Sequence, residues 1–258
     1  MRQLFSFLLL FISTNSYSQD STDLKLWYNR PSGETWENAL PIGNGRLGAM
    51  IFGNVDQEII QLNEHTVWSG SPNRNDNPDA LAALPEIRKL IFEGKQKEAE
   101  ILASKTIQTK KSNGQMFQPV GSLNLHFEGH DNYTDYYREL DIERAVTKTS
   151  YTAGEVTYTR EALASFPDQV IVMRLTANKG ESISFTASFS TPQPHASIKT
   201  TSEKELTIAG TTPEHEGVKG MVRFKSVSKI FRVMKKRNQL LNLLFTKTSS
   251  LCKLNMSD

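Results

Sequence analysis

The chain has 258 residues, of which 38% are hydrophobic and 22% are charged. These proportions are typical of a soluble globular protein, and the length allows one large all-β domain or two ordinary domains. The net charge of +2 gives no whole-chain argument for binding nucleic acid or a membrane, and we expect neither partner. Cys252 is the only cysteine, so we expect no internal disulfide.

Residues 1–18 have the pattern of a secretory signal peptide. Arg2 gives a basic start, residues 4–12 form an apolar run, and Ser16 and Ser18 are small residues before a plausible cleavage site. The apolar run is too short for a bilayer, which needs about 20 residues. Secreted eukaryotic domains more often carry disulfides, so we expect a secreted or periplasmic bacterial protein.

Residues 40–72 contain five of the fifteen glycines. A phosphate-binding glycine loop would need a strand, a loop and then a helix. Residues 46–53 instead predict a strand, so we interpret the glycines as positions of tight turns and close packing.

The segment 77–107 is the one helical exception. Four apolar residues recur in it at helical spacing: Leu81, Leu84, Ile87 and Ile91. Asp79 is the predicted N-cap, Gly94 interrupts the pattern, and Ala99, Leu102 and Ala103 continue in a second short helix.

The segments after residue 114 predict strands. Polar and apolar residues alternate over 145–152 and 155–166, and short β-rich runs follow at 169–177 and 182–190. We therefore predict that residues 19–226 form a mainly β domain, a large antiparallel β-sandwich (super-sandwich) with a short inserted helical hairpin.

The composition changes near residue 226. Residues 227–258 carry seven basic and one acidic side chain, a net +6, whereas the preceding 226 residues carry 23 and 27, a net −4. This tail is interpreted as a basic amphipathic binding helix, as an ordinary C-terminal helix, or as out-of-frame translation. The third interpretation is favoured, because the β pattern of 218–227 is interrupted as a strand begins.

Several long segments resemble the N-terminal part of glycoside hydrolase family 95, the α-L-fucosidase family. They are LWYNRPSGETWENALPIGNG (26–45), ALPIGNGRLGAMIFGN (39–54), EIIQLNEHTVWSGSP (58–72), GQMFQPVGSLNLHF (114–127) and the stretch 136–179. The resemblance covers about residues 24–226.

The resemblance implies an N-terminal β-sandwich that packs on a later helical barrel. In the family that barrel holds the active site, where one acid protonates the leaving group and a second carboxylate activates water with inversion. The resemblance therefore implies that this chain is truncated before its catalytic domain and inactive alone, with no catalytic residue, no metal and no cofactor of its own. A fucosylated glycan would be bound through the missing domain. Whether the chain is itself an enzyme stays open.

The carboxylates of the 40–72 region do not form an obvious catalytic pair. Glu58 and Glu64 are six residues apart, so on a strand they share a face but lie about 20 Å apart. An inverting pair needs roughly 6.5–9.5 Å. Glu64 beside His65 suggests either an acid/base site or, as we prefer, a polar turn. His215 between two glutamates is a weak metal signal, and a solvated loop is the better interpretation.

Three aromatic residues are candidates for stacking on sugars: Tyr28, Trp36 and Trp68. Filling the core, or the contact with the barrel, is the favoured alternative. Glu64, His65 and Trp68 cluster in a turn-like segment, and we predict that they bind substrate near the barrel mouth. Two other functions stay open: a stand-alone carbohydrate-binding sandwich and a structural domain without catalysis.

Overall fold

The computed structural model describes residues 24–109, 114–235 and 239–252, with side chains described up to residue 231. The signal peptide predicted for residues 1–18 lies outside this part of the chain. Within it, no helix is long and apolar enough to cross a membrane.

Two antiparallel sheets form the fold. The described residues contain the strands β1 (Lys25–Tyr28), β2 (Leu40–Gly43), β3 (Leu47–Ile51), β4 (Gln57–Glu64), β5 (Gly121–His126), β6 (Tyr133–Asp141), β7 (Val146–Ala153), β8 (Val156–Ser165), β9 (Val170–Ala177), β10 (Thr186–Ser190), β11 (His195–Ser202), β12 (Glu205–Thr211), β13 (Val222–Lys235) and β14 (Gln239–Cys252). The larger sheet has the order β1-β6-β7-β8-β9-β14-β13-β12-β11, and the smaller has the order β10-β5-β4-β3-β2.

The core lies between the two sheets because alternate residues of each strand face inward. In β4, for example, Ile60 and Leu62 are buried, while the alternate residues Ile59 and Gln61 are partly exposed. Leu62 packs in one cluster with residues of the larger sheet such as Met173. Full burial of each such side chain contributes about 1.5–3 kcal/mol. The predicted sandwich is confirmed.

The inserted helical hairpin is also confirmed. Helix α1 (Ala80–Phe92) and helix α2 (Gln96–Thr106) follow each other, and Gly94 between them has a φ of +74° that ends the first helix. Asp79 occupies the N-cap position, although its side chain makes no capping hydrogen bond. Leu81 and Phe92 of α1 stay exposed.

The glycine-rich stretch forms strands and turns. Asn44 and Gly45 lie in the turn between β2 and β3, where the Asn44 side-chain oxygen accepts from the backbone N–H groups of Arg46 and Leu47. Gly45 has a φ of +86°, which favours glycine. A strand rather than a helix follows, so the arrangement needed for a phosphate-binding loop is absent here.

A buried arginine joins the two sheets. Arg160 of β8 is 3% exposed, and its guanidinium lies 3.0 Å from a carboxylate oxygen of the fully buried Glu58 in β4. It also donates to the backbone oxygen of Val55 and to the hydroxyl of Tyr151, and it stacks over the ring of Phe127. Burial raises the pKa of Glu58, and the charge of Arg160 opposes that effect.

His130 extends this network and gives it a pH dependence. Its Nδ1 lies 2.9 Å from the Tyr151 hydroxyl, which already accepts from Arg160. We therefore assign the Tyr151 O–H as the donor and Nδ1 of a neutral His130 imidazole as the acceptor. Burial, together with the charge of Arg160, lowers the pKa of His130.

Since the unfolded chain binds this proton more readily, we expect stability to fall as pH drops below about 6.5, the ordinary histidine pKa. His130→Gln removes the titrating group. Urea unfolding at pH 7 and pH 5 should therefore show a smaller loss of stability for the variant than for the wild type. Equal losses would contradict the assignment of a neutral His130.

The tail forms strands over its described part. Residues 222–235 and 239–252 form the antiparallel pair β13 and β14, and β14 also pairs with β9. The two helical interpretations of this segment are therefore wrong for these residues. The predicted domain end at residue 226 falls inside β13.

Candidate functional site

Glu64 is the last residue of β4, the central strand of the smaller sheet, and is only 1% exposed. One carboxylate oxygen accepts from Nε of Arg46 at 3.1 Å. The other accepts from the backbone N–H and the hydroxyl of Thr66, at 2.9 and 2.6 Å. Both oxygens are therefore occupied within the chain. This carboxylate fixes the turn after β4 and holds Arg46 against it.

The side chains of His65 and Trp68, in the turn after β4, are exposed to solvent. Nδ1 of His65 lies 3.6 Å from a Glu64 carboxylate oxygen, and its side chain is more than half exposed. Trp68 is 44% exposed, and its indole N–H donates to the backbone oxygen of His65 at 2.9 Å. The structure therefore brings the three predicted site residues together, with Glu64 beneath and the two rings outside. Their role in substrate binding stays a prediction.

The sequence analysis missed the neighbours of Trp68. Phe117 packs edge-on against the indole with ring centroids 5.6 Å apart, and Met116 and Phe117 are both exposed. The segment 114–118 is held there by the bridge between Trp68 and Phe117 and by the hydrogen bond from the Ser69 N–H to the Met116 oxygen. Residues 116 and 117 lie in segment 114–127, which the sequence analysis used only for the family resemblance. Nothing in the sequence placed this segment beside residue 68.

The other two aromatic candidates lie elsewhere. Trp36 is 51% exposed in a short 3₁₀ helix, and Tyr28 is 39% exposed in β1, under the guanidinium of Arg138 at 4.6 Å. Filling of the core, which we favoured together with a domain contact, is therefore wrong for Tyr28, Trp36 and Trp68. A contact with another domain or with a sugar is compatible with their exposure.

No inverting pair is formed by the two carboxylates of β4. Glu58 is fully buried between the sheets, bound to Arg160 and to the Gly53 N–H, while Glu64 is bound to Arg46 and Thr66. Inverting hydrolysis needs one carboxyl group to protonate the leaving group and a second to activate water. Neither of these groups reaches a position where a sugar could lie. The exposed Trp68–Phe117 pair can instead supply an apolar face for packing.

The fold is an antiparallel β-sandwich with an exposed aromatic corner at Trp68, and comparison with known proteins assigns its family. The model of the family described as glycosyl hydrolase family 65, N-terminal domain, matches residues 26–240. The chain belongs to this family.

The relatives carry fucosidase names. Alpha-L-fucosidase 2 of Arabidopsis thaliana is 42% identical over 194 residues, which are 74% of this chain and 22% of that protein. Probable alpha-fucosidase A of Aspergillus niger is 33% identical over 162 residues, 59% of this chain and 20% of that protein. The protein of the same name from Aspergillus oryzae is 29% identical over 163 residues, 60% of this chain and 22% of that protein. The chain thus spans about a fifth of the length of these curated relatives.

Proposed function

We propose that the chain is the N-terminal β-sandwich portion of a secreted α-L-fucosidase-type hydrolase of glycoside hydrolase family 95. In the full-length protein, a helical barrel that packs on this sandwich hydrolyses terminal α-L-fucosyl linkages with inversion. The observation that carries the proposal is the match of residues 26–240 to a glycosidase N-terminal domain, together with relatives named as fucosidases. Secretion is supported by the pattern of residues 1–18.

The 258-residue chain is proposed to be inactive alone. Both carboxylates of β4 already have partners inside the sandwich, and their spacing along the strand exceeds that of an inverting pair. We expect no release of 4-nitrophenol from 4-nitrophenyl α-L-fucoside above a buffer control. Hydrolysis by the chain alone would contradict this part of the proposal, and Glu64→Gln and Glu58→Gln would then test whether either carboxylate carries the chemistry.

The corner of Glu64, His65 and Trp68 is proposed to border the glycan at the barrel mouth. Glu64 positions the turn, whereas His65 and Trp68 are exposed enough to reach a ligand. The indole N–H is already bonded, so Trp68 would contribute the apolar face of its ring.

Trp68→Ala therefore has an expected kinetic effect in a full-length enzyme that carries this sandwich. We expect kcat/KM to fall by about tenfold, since a lost aromatic contact of this kind corresponds to about that factor. Trp36→Ala, which removes an equally exposed indole from a different part of the domain, is the matched control. Wild-type kinetics of the Trp68 variant at unchanged thermal stability would remove this corner from the proposal.

We further propose that the tail after residue 226 is translated out of frame. The strand register supports this. Core-facing residues of β9 have the following partners in β14: Thr246 opposite Ile171, Leu244 opposite Met173 and Asn242 opposite Leu175. Positions that pair with the more exposed residues of β9 hold Leu241, Leu243 and Phe245. Polar residues therefore stand at two of the three β14 positions that pair with buried residues of β9, whereas a core-facing row calls for apolar residues.

Resequencing the gene across codon 226 tests this part of the proposal. We expect another reading frame to resume the alternating β pattern and then to encode a long helical region. A confirmed sequence with no such continuation in any frame would contradict it.

A further inference from the structure

The outward face of the larger sheet carries a regular row of hydroxyl groups. Four residues on adjacent strands are in register across it: Tyr137 of β6, Ser150 of β7, Thr159 of β8 and Thr176 of β9. All four are partly exposed, whereas their neighbours along the strands, such as Arg138 and Arg160, are buried. We call these four residues the hydroxyl row. The row crosses three gaps between neighbouring strands and is therefore about 14 Å long.

An exposed aromatic pair lies at one end of the hydroxyl row. The ring of Trp27 in β1 lies beside the ring of Tyr137, with centroids 6.4 Å apart and planes inclined by 18°. Trp27 is 62% exposed. The Tyr137 hydroxyl donates to Glu139 at 2.6 Å, and Lys25 lies 3.4 Å from the same carboxylate. These bonds hold the tyrosine ring in place before any ligand arrives.

The charges beside the hydroxyl row cancel. The next row across the same strands alternates in sign: Glu139 of β6, Lys148 of β7, Glu161 of β8 and Arg174 of β9. Glu161 and Arg174 are joined by a hydrogen bond of 2.7 Å. A surface without net charge gives no preference for an anionic or a cationic polymer.

This face does not resemble the core of an interface between protein domains. Such cores are depleted of charged residues and rich in apolar area. Here a row of charged residues and a row of hydroxyl groups run across β6, β7, β8 and β9, and only one aromatic pair lies beside them. Sugars offer the complementary chemistry, because a pyranose has an apolar face that stacks on aromatic rings and hydroxyl groups that exchange hydrogen bonds with Ser and Thr.

We propose that this outward face binds a neutral polysaccharide. The chain of sugars lies across the strands, with one ring on Trp27 and Tyr137 and the following rings along Ser150 and Thr159. This site lies on the larger sheet, whereas the Trp68 corner belongs to the smaller sheet and its loops. The face would hold the polymer and does no chemistry itself, so the inference goes beyond the proposed hydrolase and does not depend on it.

Affinity electrophoresis of the full chain tests the proposal. The native gels contain galactomannan, hydroxyethyl cellulose, dextran or a fucose-bearing neutral polysaccharide, and carboxymethyl cellulose serves as the anionic comparison. We expect retardation in at least one neutral gel. Trp27→Ala should raise the apparent Kd about tenfold, while Trp36→Ala, the matched exposed tryptophan, should leave it unchanged.

A second variant separates the surface from effects on folding. Thr159→Arg places a long charged side chain in the hydroxyl row two strands away from Tyr137, and it should also abolish retardation. Circular dichroism and thermal unfolding must match the wild type for each variant. Absence of retardation in every neutral gel, retardation only by carboxymethyl cellulose, or undiminished binding by Trp27→Ala would each overturn the proposal. None of these results bears on fucosidase activity, which is measured separately.

Discussion

Replacement of Arg160 by methionine is expected to lower the free energy of unfolding by about 3–5 kcal/mol. The variant leaves the fully buried carboxylate of Glu58 without its counter-ion, and it leaves the Val55 oxygen and the Tyr151 hydroxyl without their donor. Leaving a buried polar group without a partner costs more stability than the original hydrogen bond contributed. Urea unfolding of the full chain at pH 7 measures the loss.

Two further variants control this prediction. Arg174→Met breaks an exposed Arg–Glu pair one strand away, and it should cost about 1 kcal/mol or less. The double variant Arg160→Met with Glu58→Leu removes both buried charges, so it should be more stable than Arg160→Met alone. If the double variant is no more stable than Arg160→Met, an unpaired charge is not the cause of the loss.

Gly53→Ala is the second substitution with a large expected effect. Gly53 has a φ of +69°, and an added Cβ would lie 2.8 Å from the Tyr136 hydroxyl and 3.0 Å from Cδ of Arg138. The tyrosine cannot move away without breaking its hydrogen bond to the Gly53 oxygen. Backbone strain and overpacking together should cost about 2–4 kcal/mol in urea unfolding.

Gly33→Ala is the matched control for this substitution. Its φ of +66° is similar, but nothing lies within 4 Å of an added Cβ. It should therefore show the strain alone, about 1–2 kcal/mol. Equal losses for the two variants would mean that the close contacts around Gly53 do not contribute.

Local patterns were sufficient to predict the elements of this fold. The alternation over 145–152 became β7, that over 155–166 became β8, and the helical periodicity with Gly94 became the α1–α2 hairpin. Each of these signals lies within a window of a few residues. The fold class followed because such strands must bury one face each.

Contacts between distant residues could not be predicted in the same way. Arg160 lies 102 residues from Glu58 in the sequence, and nothing local shows that one charge serves the other. The pairs Trp27–Tyr137 and Trp68–Phe117 depend on strand register and loop placement in the same manner. For this reason the turn at His65 could be predicted from the sequence, whereas the aromatic partner of Trp68 was missed.

The helical interpretations of the tail failed for a related reason. A basic segment with many leucines and no Gly or Pro suits a helix by its own composition. The neighbouring β9 and β12, however, present open edges on either side of residues 222–252, and pairing to them forms β13 and β14. Tertiary context therefore overrides local propensity here.

The most direct test of the central claim exchanges domains. Residues 24–226 replace the matching part of alpha-L-fucosidase 2 of Arabidopsis thaliana, and release of sugar from a fucosylated oligosaccharide is followed by proton NMR. We expect the chimera, but not the 258-residue chain alone, to release L-fucose, with the inverted anomer appearing first. A soluble, folded chimera that releases no fucose, or a chain that releases it unaided, would contradict the assignment of this sandwich as the non-catalytic portion of such an enzyme.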